Sequence, residues 1–129
     1  MRDDELLSRF EDGTLTPFPH ESHLRVVYLL IQRDGPDAAL AAVTAGIRAM
    51  ARAIGRPEAF HVTRTTAWTR LVAATITAGE GQPAGSLEWL AGHPELVRRD
   101  LLDDYYSAGR LLTDEARTGF VGPDLRPLD

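Results

Sequence analysis

The sequence predicts an all-α fold: a small helical bundle with three long helices and two or three shorter ones packed around them. Three observations point there. Glycine and proline punctuate the chain in stop-then-start order, at Gly35-Pro36, at Gly55-Arg56-Pro57, and at Gly79 and Gly81 ahead of Pro83. Glycine is favoured just past a helix and proline at its first position. Between these marks, apolar residues recur every three or four positions, and no window shows the sustained two-residue alternation of a strand. At 129 residues the chain is expected to form one domain, 1–129, with an extension over 1–17 and an irregular tail over 122–129.

A short helix is expected at Asp4–Phe10, then a loop. The first long helix spans about Pro19–Arg33, with Leu24, Val27, Leu30 and Ile31 on one face. The second spans Pro36–Ile54; Leu40, Val43, Ile47, Met50 and Ile54 form its inward stripe. Dense alanine there favours helix and permits close helix approach. The third spans Pro57–Ala78, with Trp68, Leu71, Val72 and Thr75 on one face. Gly79–Gly85 reads as a loop, and Ser86 caps a short turn through Trp89 and Leu90. Pro94 opens a further helix to Tyr106, carrying Leu96, Leu101, Leu102 and Tyr105. Thr113-Asp114-Glu115 marks a last short helix start, and the prolines of 122–127 preclude regular helix beyond it.

Composition narrows the function. All 14 basic residues are arginine, against 19 acidic residues, for a net charge of −5. That balance argues against nucleic-acid binding, and the absence of lysine excludes a Schiff-base lysine. With no cysteine there is no disulfide, thiolate zinc site, iron–sulfur cluster or thiol nucleophile. No apolar run approaches a membrane span. The charged start MRDDELLSRFEDG lacks a signal peptide's apolar stretch, so a cytoplasmic protein is expected. There is no phosphate-cradling glycine loop, no GxSxG and no HExxH.

Chemistry concentrates in histidine. His20 and His23 open the first long helix, and His61 opens the third. His20, His23, Val27 and Leu30 share one helix face, as do His61, Thr65, Trp68 and Val72, so both histidine lines continue into apolar stripes. Two short connections leave the first and third helices parallel, which would bring all three imidazoles into one layer. Such a three-nitrogen site with open positions suits zinc, iron, copper or nickel. Around it, Tyr28 and Thr65 are candidate partners for ring nitrogens, Glu21 a candidate carboxylate, and Arg64 a clamp for an acidic substrate. The expected function is a metal-binding enzyme of a small-molecule substrate, hydrolytic or oxidative, with His20, His23 and His61 as ligands and Arg64 and Tyr28 assisting. The alternative is a metal-free binding or interaction module whose histidines line a polar pocket and whose exposed apolar stripe forms a homodimer or meets a partner. His93, before Pro94, reads as a helix cap, Trp68 and Trp89 as core, and Tyr105 and Tyr106 as core or as a phenol closing the pocket.

Phe18-Pro19-His20-Glu21-Ser22-His23-Leu24, the later aromatic-His61-x-Thr63-x-Thr65, Tyr106-Ser107 and Val121-Gly122-Pro123-Asp124-Leu125 together resemble a family of short bacterial conserved proteins. In that family an HxxHL segment is followed by a YHxTxT-type segment and a proline–aspartate ending. The resemblance spans about residues 16–128 and implies no activity. Its members often carry an acidic residue directly after the third histidine, where this chain has Val62.

Overall fold

A computed structural model describes residues 1–77 and 85–129. Among these the chain forms six α-helices and no strand: α1 (Asp3–Asp12), α2 (His20–Asp34), α3 (Pro36–Ala53), α4 (Val62–Thr77), α5 (Ser86–Ala91) and α6 (Asp114–Thr118). The bundle is all-α, as the punctuation predicts. Gly35, at positive φ, joins α2 to Pro36 of α3 with no residue to spare. Position 78 and most of the predicted 79–85 loop lie outside the described residues.

Helix α2 is the centre. Leu24, Arg25, Val26, Val27 and Tyr28 are consecutive and all buried, followed by Leu30 and Ile31, so the middle of this helix is enclosed on every side while its two ends reach the surface. It packs against α1, α3, α4 and α5, and α4 also meets α3 and α6. Enclosure brings a charge inside. Arg25, only 7% exposed, donates from Nε to Ser86 Oγ (2.7 Å), and from Nη2 to the Met1 carbonyl (2.7 Å) and to Asp3 Oδ1 (3.0 Å). Asp3 also accepts from the Ser86 backbone amide and hydroxyl at the start of α5. One carboxylate therefore joins α1, α2 and α5. Burial is the largest single influence on the Asp3 carboxyl and pushes it up, but these bonds and the Arg25 charge together outweigh it and hold it below its usual range.

Three expectations need correction. Helix α3 lies at the edge of the bundle: of its predicted stripe only Val43 is fully buried, Leu40, Ile47 and Met50 are half-buried, and Ile54 is 66% exposed. Second, Pro57–Ala59 is a separate 3₁₀ turn, so α4 begins five residues after Pro57. Third, the expected helix from Pro94 to Tyr106 is two 3₁₀ turns, Pro94–Val97 and Leu101–Asp104, with extended backbone at Arg98 between them. Leu96, Leu101, Leu102 and Tyr105 are all buried. Positions five apart lie about 140° from each other around a continuous helix, so burying both Leu96 and Leu101 requires the break.

The tail folds back on this half. Tyr106 donates its hydroxyl hydrogen to the Val121 carbonyl (2.7 Å), Ser107 bonds Asp124 through both amide and hydroxyl, and Leu128 is buried. Thr63, inside α4, donates to the Gly119 carbonyl and accepts from the Val121 amide.

Removing Asp3 strands a buried guanidinium. The variant Asp3→Ala is expected to lower stability by about 2–3 kcal/mol in urea denaturation. Asp4→Ala, which removes only exposed contacts, an ion pair with Arg2 and an acceptor for the Glu5 amide, is expected to change it by less than about 0.5 kcal/mol. Equal effects would show that the network contributes nothing.

Candidate functional site

The parallel arrangement predicted for α2 and α4 can be traced through their contacts, and so can its stagger. His20, the first residue of α2, meets the Trp68 ring edge-on at 4.6 Å, six residues into α4. Further along, Tyr28 stacks on Trp89 at 4.6 Å, and Trp89 Nε1 donates to Thr75 Oγ1 (3.0 Å). Both ladders place α2 five to six residues behind α4, about 8–9 Å at the helical rise. His61, one residue before α4, is left well past the level of His20 and His23. Among the described residues no group of three or more His, Asp or Glu side chains is placed to hold a metal ion. The structure does not bring His20, His23 and His61 into one layer, because the first turn of α2 packs beside Trp68 and not beside the start of α4.

Each histidine has a separate environment. His61 caps α4: its Nδ1 accepts from the Arg64 amide (3.1 Å), while Nε2 donates to the Leu111 carbonyl (2.7 Å). These two bonds specify the neutral Nε2–H tautomer and occupy both ring nitrogens. Burial, with the Arg64 and Arg117 charges behind it, holds His61 below the usual imidazole range against the opposing pull of the Leu111 carbonyl. His20 Nε2 donates to the Leu96 carbonyl (2.8 Å), tying α2 to the 94–97 turn. His93 Nδ1 donates to the Trp89 carbonyl (2.8 Å) and closes the C-terminal end of α5; its side chain makes no cap to the turn that Pro94 opens, where the sequence predicts one. His23 differs from all of these. Its Nε2 is sealed from solvent with no hydrogen-bond partner, and its ring lies 5.6 Å from Phe18. Burial first, and the neighbouring His20 second, push its imidazole down to about 4.

The predicted assisting residues sit elsewhere. The Tyr28 ring stacks on Trp89 instead of supporting a histidine. The Arg64 side chain is exposed and only its backbone amide reaches His61. Thr65 is buried in α4 and hands its carbonyl to Thr69. The Tyr106 phenol is committed to Val121, and Tyr105 lies under Arg126.

A different concavity forms at the head of α2. A cleft of about 400 Å³ is lined by His20, Glu21, Ser22, Arg25, Leu87, Val97 and Arg99, beside Pro19. Pro19 gives α2 no side-chain cap, which leaves first-turn amides facing outward. Arg25 forms the floor with its guanidinium already bonded, whereas Arg99 is exposed and engages no other side chain among the described residues. Leu87 (63% exposed) and Val97 (39%) supply an apolar wall. The sequence reading missed Arg25, Leu87, Val97 and Arg99 as site residues. Arg25 had a signal, a lone charge within the apolar run Leu24–Ile31; the others come from elements whose approach to α2 is tertiary. Set against protein-family models, curated proteins and solved structures, the chain matches none.

Two outcomes are expected. His23 binds its proton more readily unfolded, near 6.5, than folded, near 4. Stability should therefore fall as the pH drops from about 6.5 to 4, with His23 accounting for about 3 kcal/mol of the loss. In His23→Leu, urea melts across that range should show a flattened pH dependence at undiminished neutral-pH stability. A slope equal to that of the parent would remove His23 as its source. His61→Ala should cost about 1–2 kcal/mol, and His61→Asn should recover the cap but not the bond to Leu111, an intermediate value in the same assay.

Proposed function

We propose that this protein is a cytoplasmic, metal-free binding module whose ligand is a small organic anion with an apolar portion, held in the cleft at the head of α2. The observation that carries this reading is the convergence in one cleft of a helix N-terminus without a side-chain cap, the exposed Arg99 guanidinium and the apolar wall of Leu87 and Val97. A helix start and an arginine both favour negative charge, and the arginine fork fits a carboxylate bidentately. The apolar wall rewards a short hydrocarbon portion, and about 400 Å³ accommodates a molecule of roughly ten heavy atoms. Ser22, which lines the cleft, offers a hydroxyl donor at the same turn. His20 lines the cleft with Nε2 committed to Leu96, so it serves as a wall and a positioning group. The commitment of both His61 ring nitrogens favours this reading over a three-histidine metalloenzyme, because ligation would require His61 to give up its cap or its bond to Leu111.

The test is titration with hexanoate followed by amide chemical shifts, with hexanol as the neutral control. Saturable shifts confined to Ser22, Leu87, Val97 and Arg99 are expected for hexanoate, with affinity reduced about five- to tenfold in Arg99→Ala. Equal binding of hexanol, or unchanged affinity in Arg99→Ala, would overturn the anion assignment. Elemental analysis of untagged protein purified without chelator tests the competing reading. Stoichiometric zinc, iron, copper or nickel, lost on changing His23 or His61, would replace the proposal with a metal-binding enzyme.

A further inference from the structure

We infer that the outward face of α3 is a self-association surface, on which a second copy of this chain packs antiparallel about a two-fold axis. The inference is independent of the cleft. Helix α3 runs for 18 residues with only three charged side chains, Asp37, Arg48 and Arg52, yet it buries fully only Ala39, Val43 and Ala51. A helix at the edge of a bundle ordinarily turns a charged face to water. Here the outward face carries Asp37, Ala38, Ala41, Ala45, Arg48, Ala49 and Arg52, all of them exposed. At 100° per residue these positions fall within one sector of about 120°.

The order of charge along that sector selects the occupant. Asp37 stands at the N-terminal end, Arg48 and Arg52 at the C-terminal end, and only alanine lies on the face between Asp37 and Arg48. A face that is negative at one end and positive at the other complements itself when turned end for end. With the axis between Thr44 and Ala45, Asp37 of each copy meets Arg52 of the other, while Ala41, Ala45 and Ala49 form the contact in the middle. Asp37 and Arg52 are exposed and have no ion-pair or hydrogen-bond partner for their side chains among the described residues, so neither must be released from one. Alanine at the crossing allows close helix approach, and the antiparallel sense opposes the two helix dipoles favourably. Such an interface is isologous, each residue pair occurring twice, as a closed dimer requires.

The surface beside the stripe is concave. Between α3 and the end of α1 lies a groove of about 530 Å³, floored by Ala42, Gly46 and Ala53 and walled by Phe10. Phe10 presses against Gly46 so closely that a Cβ there would overlap its ring, which brings α1 low against α3. The groove therefore extends the contact area beyond the helix stripe itself.

Sedimentation equilibrium of the full chain between about 5 and 200 μM tests this. A reversible dimer is expected. Ala45→Glu places like charges across the axis and should shift the equilibrium at least tenfold towards monomer, with an unchanged helical circular dichroism spectrum because position 45 is exposed. Asp37→Arg and Arg52→Glu should each weaken the dimer, and the double variant should restore it, since the pairing is reciprocal. A monomer across the whole range would overturn the inference. So would a dimer indifferent to Ala45→Glu, or a double variant no better than its parents. Because no cleft residue is altered, the outcome is separable from hexanoate binding.

Discussion

Everything in this molecule is arranged around a helix whose middle, Leu24–Ile31, is almost wholly buried. Once the middle of α2 is enclosed, Arg25 goes inside with it, and a buried guanidinium is tolerable only when its donors are met. The partners come from far along the chain: Met1 and Asp3 from one direction, Ser86 from the other. The requirement to satisfy one charge thus fixes where α1 begins and where α5 docks. It also sets the floor of the cleft at the head of α2, since Arg25 and Leu87, next to Ser86, both line it.

The second half of the chain is held differently. Its segments are 3₁₀ turns and a folded-back tail, too short and irregular to cohere through helix ladders alone. Side chains of the long helices reach out to their carbonyls instead: His20 to Leu96, His61 to Leu111, Thr63 to Gly119. Histidine suits this work. A neutral imidazole offers one donor on a rigid arm, and its second nitrogen can cap a helix, as His61 does for α4. The same properties that make a histidine cluster resemble a metal site in sequence equip it to fasten backbone. His23, with its buried unpartnered nitrogen, is the exception and introduces acid sensitivity into the core.

The fold was largely legible. The stripe Leu24, Val27, Leu30 and Ile31 is buried as its spacing predicts, and so are Trp68, Leu71 and Val72. Thr113 caps α6 from the predicted position, its Oγ1 accepting from the Ala116 amide (3.1 Å). The readings that failed share a cause. Periodicity reports that a face is apolar, not how much of it a neighbour covers, so α3 reads as a core helix while lying at the edge. Proline at 57 marks a helical turn of some kind, not which kind, and the parallel sense of two helices leaves open how far one slides past the other, which is what separates His61 from His20.

By itself the sequence determined the class of fold, the order of the helices and which faces turn inward, because these follow from local propensity and from the 3.6-residue period. It also determined the chemistry within reach: no thiol, no lysine, four histidines and an all-arginine positive charge. Only the tertiary structure decided how the parallel helices are staggered, which carbonyls the histidines meet, and which side chains from α2, α5 and the 94–99 segment share a cleft. Those outcomes depend on distances of a few ångströms between residues tens of positions apart. No spacing along the chain encodes them, because they are set by which packing best fills the space around α2 and leaves its one buried charge satisfied.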